Sequence, residues 1–211
     1  MIKRAKRRTI LRPNQRRQQL LEAATWVFAR KGYRHANVSD IIARAGVARG
    51  TFYLYFEGKE RIFLTIVDEF HDRMRRAFEA LDAAAAAARV DGPRAVLHAS
   101  FRRWLEFFAA HRDVTRVILR EASSIDPRFE QGFLELRESA LTRFAGRFRK
   151  LQELGLASAS LDPDLAAHFQ LGMFDELLNW FVLRDDHADL DTLAGQLADF
   201  EWNGIRPDRN D

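Results

Sequence analysis

The residues best suited to contact another molecule lie in one short segment, ARGTFYLYF, from Ala48 to Phe56. A small residue, a cation, a glycine and a hydroxyl open it: Ala48, Arg49, Gly50 and Thr51. A guanidinium and a hydroxyl can bond to phosphates or to base edges, and small residues let a backbone approach them closely. The segment therefore favours contact with nucleic acid.

Two short helices with a glycine corner between them are predicted to position this segment. The first helix is expected over Val38–Ala45, with Asn37 or Ser39 as its N-cap. Gly46 follows, and glycine readily takes the left-handed conformation that ends a helix. The second helix is expected from Ala48 or Arg49 through Phe56. Residues 37–56 thus predict a helix-turn-helix, whose second helix enters the major groove of DNA. An ordinary pair of packed helices in a helical core has the same spacing and remains an alternative.

Charge is distributed unevenly along the chain. Residues 1–61 hold 15 Lys and Arg against 4 Asp and Glu, a net charge of +11, and residues 62–211 hold 19 against 26, a net of −7. A basic segment that also contains a helix-turn-helix is typical of nucleic-acid binding. The same charge could attract an anionic membrane surface, but the apolar residues here are needed for packing within a small domain.

Composition restricts the class of protein further. The 211 residues are 47% apolar and include 17 Phe and 4 Trp, enough for a sizeable core, and there are no cysteines. Disulfides, thiolate metal sites and cysteine redox chemistry are thereby excluded. The basic N-terminus is not followed by the apolar run of a signal peptide, and no run of about 18 apolar residues predicts a membrane span. We expect a cytoplasmic protein that needs no membrane, metal or cofactor.

Helical spacing of apolar residues recurs along the whole chain and no segment shows the alternation of a strand. We predict an all-α fold of about nine helices, with a basic tail at residues 1–13, a DNA-binding domain at 14–74 and a larger helical domain at 75–211. Besides the two motif helices, the predicted helices are Asn14–Lys31, Lys59–Ala88, Pro93–His111, Arg112–Ser123, Pro127–Gly155, Pro163–Arg184 and Leu190–Asn203.

The segment from about Arg16 to Phe70 resembles the N-terminal signature of TetR-family transcriptional regulators. The matching residues, at fixed spacing and without a gap, are Gly32-Tyr33, Val38-Ser39-Asp40-Ile41-Ile42-Ala43, Ala45-Gly46-Val47, Gly50-Thr51-Phe52-Tyr53, Tyr55-Phe56 and Lys59-Glu60. The resemblance implies a homodimer that binds a palindromic double-stranded DNA operator, usually as a repressor. It also implies release by a small-molecule effector bound in the C-terminal domain.

The resemblance also implies DNA contacts for particular side chains. The candidates are Val38, Ala48, Arg49, Gly50, Thr51, Tyr53, Leu54, Tyr55 and Lys59. Lys59 opens a helix, so its ammonium and the helix N-terminus could together hold a phosphate. Val38 departs from the Thr common at this position and cannot hydrogen-bond a phosphate through its side chain. Partial core packing is an alternative role for Tyr53.

Aromatic stripes in the C-terminal helices predict either a plain core or an apolar effector pocket. The candidate pocket residues are Phe101, Trp104, Phe108, Phe133, Phe144, Phe148, Phe169, Met173 and Glu176. Because a buried carboxylate is costly unless it is paired, Glu176 is expected to have a partner, to lie near solvent or to meet a ligand.

The last two predicted helices are apolar on more than one face, so a second subunit could cover one of their sides. The candidate dimer residues are Leu171, Phe174, Leu178, Phe181, Val182, Leu193, Leu197 and Phe200.

Two other functional classes remain open on sequence alone. The six His show no metal-ligand spacing, and the sequence contains no HExxH, GxGxxG, phosphate-binding loop or GxSxG motif. An enzyme would therefore need a site built from distant residues, and no catalytic residue is predicted. A helical DNA-binding structural protein without an effector is the other alternative.

Overall fold

The computed structural model describes residues 12–87, 92–121, 127–183 and 189–207, with side chains for 12–80, 92–120, 134–182 and 189–207. The described residues form nine α-helices and no strand, which confirms the predicted all-α fold. The helices are α1 Pro13–Lys31, α2 Val38–Ala45, α3 Arg49–Tyr53, α4 Lys59–Ala87, α5 Pro93–Ala110, α6 Arg112–Glu121, α7 Pro127–Glu153, α8 Pro163–Leu183 and α9 Leu190–Ile205. None of these helices is long and apolar enough to cross a membrane.

The chain divides into two compact units, Met1–Val67 and Asp68–Asp211. Helix α4 begins in the first unit and continues into the second. We refer to them as unit 1 and unit 2.

The core of unit 1 is built around an aromatic cluster. Phe28 from α1 and Phe63 from α4 meet edge to face with ring centroids 5.7 Å apart, and Tyr33 lies 4.6 Å from Phe63. Both Phe side chains are buried, as are Ile41 and Phe52. Side chains from all four helices therefore hold the small unit together by apolar burial.

The core of unit 2 is formed mainly where α5 packs on α9 and α7 packs on α8, and an aromatic cluster joins α5 to α8. Trp104 stacks on Phe174 with centroids 4.3 Å apart, and Phe101 meets the same ring at 5.4 Å. Phe148 from α7 packs in a second cluster with Ala166 and other apolar residues. Aromatic pairs of this kind add to the stabilisation from area burial alone.

A buried polar network links three helices of unit 2. Arg147 of α7 donates to Gln170 of α8 at 2.8 Å and to Glu201 of α9, and Gln170 also donates to Glu201 at 2.9 Å. Burial raises the pKa of Glu201, and the guanidinium of Arg147 acts in the opposite direction. The network satisfies a carboxylate that would otherwise be costly to bury.

The second motif helix is shorter than predicted. Helix α3 ends at Tyr53 rather than Phe56, and Tyr55 donates its N–H to Phe52 three residues back. Such a bond belongs to the tighter turns that commonly end helices. Phe56 still bonds to the carbonyl of Phe52 at 3.0 Å, so the chain direction is kept to that residue.

Candidate nucleic-acid interface

Local capping fixes the start of helix α2. The Asn37 side chain accepts from the Asp40 N–H at 3.0 Å, and the Asp40 carboxylate accepts from the Asn37 N–H at 3.1 Å. Asn37 rather than Ser39 is therefore the N-cap, in a reciprocal capping arrangement. Lys31 at the end of α1 donates to Asp40 at 2.5 Å. The hydrogen bond from Lys31, followed by the one from the Asn37 backbone, holds the pKa of Asp40 below its ordinary value.

A left-handed glycine makes the corner between α2 and α3. Gly46 has φ 66° and ψ 33°, as predicted, and its N–H donates to Ile42 at 2.9 Å. The amide of Gln19 in α1 donates to the Ala45 carbonyl at 2.9 Å. These bonds satisfy carbonyls that the end of α2 would otherwise leave unpaired.

Burial of two phenylalanines orients helix α3. Phe52 and Phe56 both lie inside unit 1, with their ring centroids 6.1 Å apart. Residues four apart share one face of a helix, so Phe52 and Phe56 bury the same side of this segment and its opposite side faces outward. The exposed side chains and backbone on that side are those of Ala48, Arg49, Gly50, Tyr53 and Leu54. We call these five residues the outward face of α3.

The outward face combines a stacked cation with an open backbone. The guanidinium of Arg49 lies over the Tyr53 ring, 5.7 Å from its centroid. A Cβ at Gly50 would meet nothing within 4 Å. The face therefore offers donors beside a place where another molecule can approach the main chain closely.

Three other residues predicted to contact DNA are less exposed than the outward face. Thr51 and Tyr55 are half-buried at the edges of the outward face. Val38 is the first residue of α2 and is also half-buried.

The ammonium of Lys59 points into unit 1. It donates to the carbonyls of Tyr33 at 2.8 Å and Ala36 at 2.9 Å, and it lies 4.3 Å from the centroid of the Tyr33 ring. The ammonium of Lys59 thus stabilises the turn after α1 by hydrogen bonds to its carbonyls. The sequence instead predicts an ammonium available to bind a phosphate. The difference arises because its acceptors lie 23 to 26 residues earlier in the chain.

The structure separates the residues predicted for an effector pocket. Phe101, Trp104 and Phe108 are buried in one cluster, whereas Phe148 packs elsewhere against Ala166. Phe144, half-buried, packs in the cluster of Phe148 and also reaches the first cluster through Phe174, with centroids 5.6 Å apart. Phe133 lies outside the described side chains.

Three of the predicted pocket residues lie elsewhere on α8. Phe169 is 68% exposed, Glu176 is exposed and Met173 is half-buried. Phe169 and Glu176 therefore lie on an exposed side of the helix. Phe169 differs in this from the predicted interior pocket residue, whereas Glu176 agrees with the alternative that its carboxylate lies near solvent.

A cavity of ≈ 350 Å³ lies between α4 and α5. Of the predicted pocket residues only Trp104 is among its lining, which otherwise consists of Met74, Ala77, Phe78, Arg103, Glu106 and Phe107. The α4 residues at 74, 77 and 78 follow Phe70 at helical spacing, so the periodicity of α4 was a usable signal for them.

Most residues predicted for a dimer surface are interior to unit 2. Leu171, Phe174, Leu178, Phe181, Val182 and Leu197 are buried, and Leu193 is half-buried. Only Phe200 of this set is openly exposed, at 73%. The exposed apolar side chains of α8 are instead Leu165, Phe169 and Trp180.

Within the described part of the chain, no group of three or more His, Asp or Glu could hold a metal ion.

Comparison with known proteins shows the family to which the chain belongs. A family model described as bacterial regulatory proteins, tetR family, matches residues 20–66, and one described as tetracyclin repressor-like, C-terminal domain, matches residues 90–204. The chain is 28% identical to the uncharacterized HTH-type transcriptional regulator YdgC of Bacillus subtilis, over 92% of this chain and 95% of YdgC. It is 27% identical to the fatty acid metabolism regulator protein of Bacillus subtilis, over 89% of this chain and 94% of that protein.

A solved structure shares the fold across nearly the full length. The transcriptional regulator FadR from Bacillus subtilis, in complex with stearoyl-CoA, superposes with a TM-score of 0.70 at 26% identity, covering 90% of this chain and 99% of FadR. YdgC and FadR are both transcriptional regulators by name, and the C-terminal family model alone spans more than half of the sequence. The chain belongs to the TetR family of helix-turn-helix, DNA-binding transcriptional regulators.

Proposed function

We propose that this chain is a homodimeric repressor that binds a palindromic operator and leaves it when a small apolar effector occupies unit 2. The observation that carries the proposal is the outward face of α3, which unit 1 exposes by burying Phe52 and Phe56 behind it. A transcriptional regulator acts on chromosomal DNA, so we place its activity in the cytoplasm.

The proposed DNA contacts follow from the chemistry of that face. Arg49 can donate to a phosphate or, with both arms of its fork, to a guanine edge. Gly50 leaves room for the duplex to approach the backbone, and the half-buried Thr51 can donate its hydroxyl to a phosphate. The net charge of +11 on residues 1–61 supplies the long-range attraction to DNA.

The proposed dimer surface is one exposed side of α8 and α9, which on α8 is apolar apart from Glu176. Leu165, Phe169 and Trp180 recur along one side of α8, and Phe200 is exposed on α9. Gly172 lies in the same row of α8, with nothing within 4 Å of an added Cβ, so it leaves space for a neighbouring helix. Exposed rings at helical spacing favour a protein contact, and a second copy of this chain offers the matching surface.

The proposed effector site is the cavity between α4 and α5. Its volume of ≈ 350 Å³ falls within the range of about 300 to 1,000 Å³ typical of small-molecule sites. Most of its lining is apolar, and Arg103 and Glu106 supply charge. Because the structure of the relative FadR holds stearoyl-CoA, a long-chain acyl-CoA is the first effector we would test.

Two measurements test the repressor proposal. Fluorescence anisotropy with duplex DNA from upstream of the coding sequence should show tight, sequence-selective binding that weakens steeply with salt. Addition of stearoyl-CoA should then lower the affinity for that duplex. Equal affinity for a scrambled duplex of the same composition would contradict operator binding.

A cavity-filling variant separates the effector from the DNA site. Ala77→Trp should block the effector response and leave the affinity for DNA unchanged, because Ala77 lines the cavity and belongs to unit 2. The matched control is Ala99→Trp, which changes an exposed residue of α5 that is absent from the cavity lining. A full response in Ala77→Trp would contradict this placement of the effector. If no tested ligand alters DNA affinity, a DNA-binding protein without effector becomes the better account.

A further inference from the structure

Leu54 is an unexpected residue on a surface built to meet DNA. Its side chain is 82% exposed, more than any other large apolar side chain that the structure describes. An isobutyl group cannot hydrogen-bond to a phosphate or to a polar base edge. If the outward face of α3 contacts DNA, the group that Leu54 can contact favourably is an apolar one.

Backbone bonding places Leu54 in a definite row of that face. Its N–H donates to the carbonyl of Gly50 at 3.2 Å, so Leu54 lies one helical turn beyond Gly50. A Cβ at Gly50 would meet nothing within 4 Å, which leaves the space beside Leu54 open. The neighbouring row holds Arg49 and Tyr53 as a cation–π pair. The face thus has one row that can donate hydrogen bonds and one shallow row that ends in an apolar side chain.

The major groove offers such a side chain one apolar feature at a base edge, the C5 methyl group of thymine. We propose that Leu54 contacts a thymine methyl group in each half-site of the operator and makes this chain prefer thymine at that position. The proposal rests on the proposed operator binding and adds to it a base and the residue that selects it.

The surroundings of Leu54 argue against a protein or a membrane as its partner. On the outward face Leu54 is accompanied by a cation, a glycine, an alanine and a tyrosine, without a second exposed aliphatic chain of its size. Protein-binding and membrane-binding surfaces need a larger continuous apolar area. A single leucine side chain offers an apolar area small enough to be covered by one methyl group.

Replacement of thymine by deoxyuridine tests the proposal directly, because it removes the methyl group and leaves every hydrogen-bonding group of the base in place. The full-length protein first selects its operator from a random duplex library. Each symmetric pair of thymines in the selected operator is then replaced, and the affinity of each duplex is measured by fluorescence anisotropy. Wild-type protein, Leu54→Ala and Leu134→Ala are compared. Leu134 is a suitable control since it is an exposed leucine, 57% accessible, on α7 of unit 2.

We expect one symmetric pair of thymines at which the wild type loses affinity on replacement by deoxyuridine. Loss of one methyl contact corresponds to about fourfold per half-site and therefore to about fifteenfold for the pair. Leu54→Ala should bind the thymine and deoxyuridine duplexes equally at that pair while it keeps the responses of the wild type elsewhere. Leu134→Ala should behave as the wild type, and the salt dependence should be the same for all three proteins.

Three results would overturn the inference, and they are distinguishable. If the wild type selects an operator but no replacement by deoxyuridine changes its affinity, methyl recognition is absent although operator binding stands. If Leu54→Ala keeps the same thymine preference, another residue reads the methyl group. If no sequence is selected at all, the proposed function fails and the inference falls with it.

Discussion

The guanidinium of Arg49 lies over the ring of Tyr53, 5.7 Å from its centroid, on the outward face of α3. The two residues are one helical turn apart, so the helix itself brings them together. Stacking on an aromatic face restricts the guanidinium without using its N–H donors, which remain available for a phosphate or a guanine. We therefore propose that Tyr53 orients Arg49 for contact with DNA.

Arg49→Ala should weaken operator binding by about 10-fold or more per half-site, the range for loss of one specific arginine contact, and therefore by about 100-fold or more for the dimer. Arg49→Lys distinguishes the two possible targets. Lysine should largely restore a phosphate contact, but it lacks the fork that binds guanine with two hydrogen bonds. Anisotropy titrations would measure all three proteins, with Arg75→Ala, which removes an exposed cation from unit 2, as control. If Arg49→Ala binds the operator as tightly as the wild type, the proposed contact between Arg49 and DNA is wrong.

Two glycines of the motif should respond in opposite ways to alanine. Gly46→Ala places a side chain in a left-handed conformation, φ 66°, and should lower the free energy of unfolding by about 1 kcal/mol. Gly50→Ala should be neutral or stabilising by up to about 1 kcal/mol, because Gly50 is helical and its surroundings are open. Denaturant unfolding tests both. Gly50→Ala should nevertheless bind the operator less tightly, since its methyl group projects from the outward face. If Gly50→Ala is more destabilising than Gly46→Ala, stability does not depend on the left-handed conformation of Gly46 in the way described here.

The exposed rings of α8 and α9 should control dimer formation. Phe169→Glu and Phe200→Glu should each raise the dimer dissociation constant by at least about a hundredfold, because each change removes two buried rings per dimer. Sedimentation velocity would measure the shift, with Leu134→Glu as an exposed control on α7. In contrast, Phe174→Ala should lower the free energy of unfolding by about 3 to 5 kcal/mol, since that ring packs inside unit 2. A Phe169→Glu protein that stays dimeric at low concentration would exclude this surface.

The capping carboxylate of α2 should make unit 1 sensitive to acid. Hydrogen bonds from Lys31 and from the Asn37 backbone hold the pKa of Asp40 below its ordinary value of 3.8. The folded state therefore binds the proton less readily than the unfolded chain does, so ionised Asp40 stabilises the fold above pH 3.8. That stabilisation is lost as the pH falls from 3.8 through the lower pKa of the folded state.

Asp40→Asn should accordingly be less stable than the wild type near neutral pH, and the difference should shrink as the solution becomes more acidic than pH 3.8. Denaturant unfolding of both proteins across this range would measure it. Lys31→Met should reproduce much of the loss, since Lys31 is the largest cause of the lowered pKa. A difference that does not change with pH would show that the charge of Asp40 is not responsible.

The helix-turn-helix could be predicted from the sequence because its signals are local. Gly46 follows an amphipathic helix, and the observed left-handed conformation is the one that glycine favours at such a position. The bounds of α2 were predicted without error, and those of α3 were too long by one turn. The hydrogen bonds of Lys59 could not be predicted in this way. Its acceptors, the carbonyls of Tyr33 and Ala36, lie in a distant part of the sequence that only the folded chain brings close to Lys59.

Unit 2 was less predictable because α8 is apolar on nearly all sides. Periodicity reveals which side is buried only when the other side is polar. Phe169 and Phe174 are both phenylalanines of this helix, yet the first is exposed and the second stacks on Trp104. The cavity was also difficult to predict from the sequence. Its lining includes Met74 of α4 and Phe107 of α5, and helical periodicity does not reveal that these two helices pack together.

Selection from a random duplex library tests the central claim most directly, namely that this chain reads DNA as a dimer through the outward face of α3. Wild-type protein should enrich a palindromic sequence whose half-sites lie about one helical turn, or a multiple of it, apart. Arg49→Ala should enrich it poorly under the same conditions. Failure of the wild type to enrich any sequence, or enrichment of the same palindrome to the same extent by Arg49→Ala, would contradict the account.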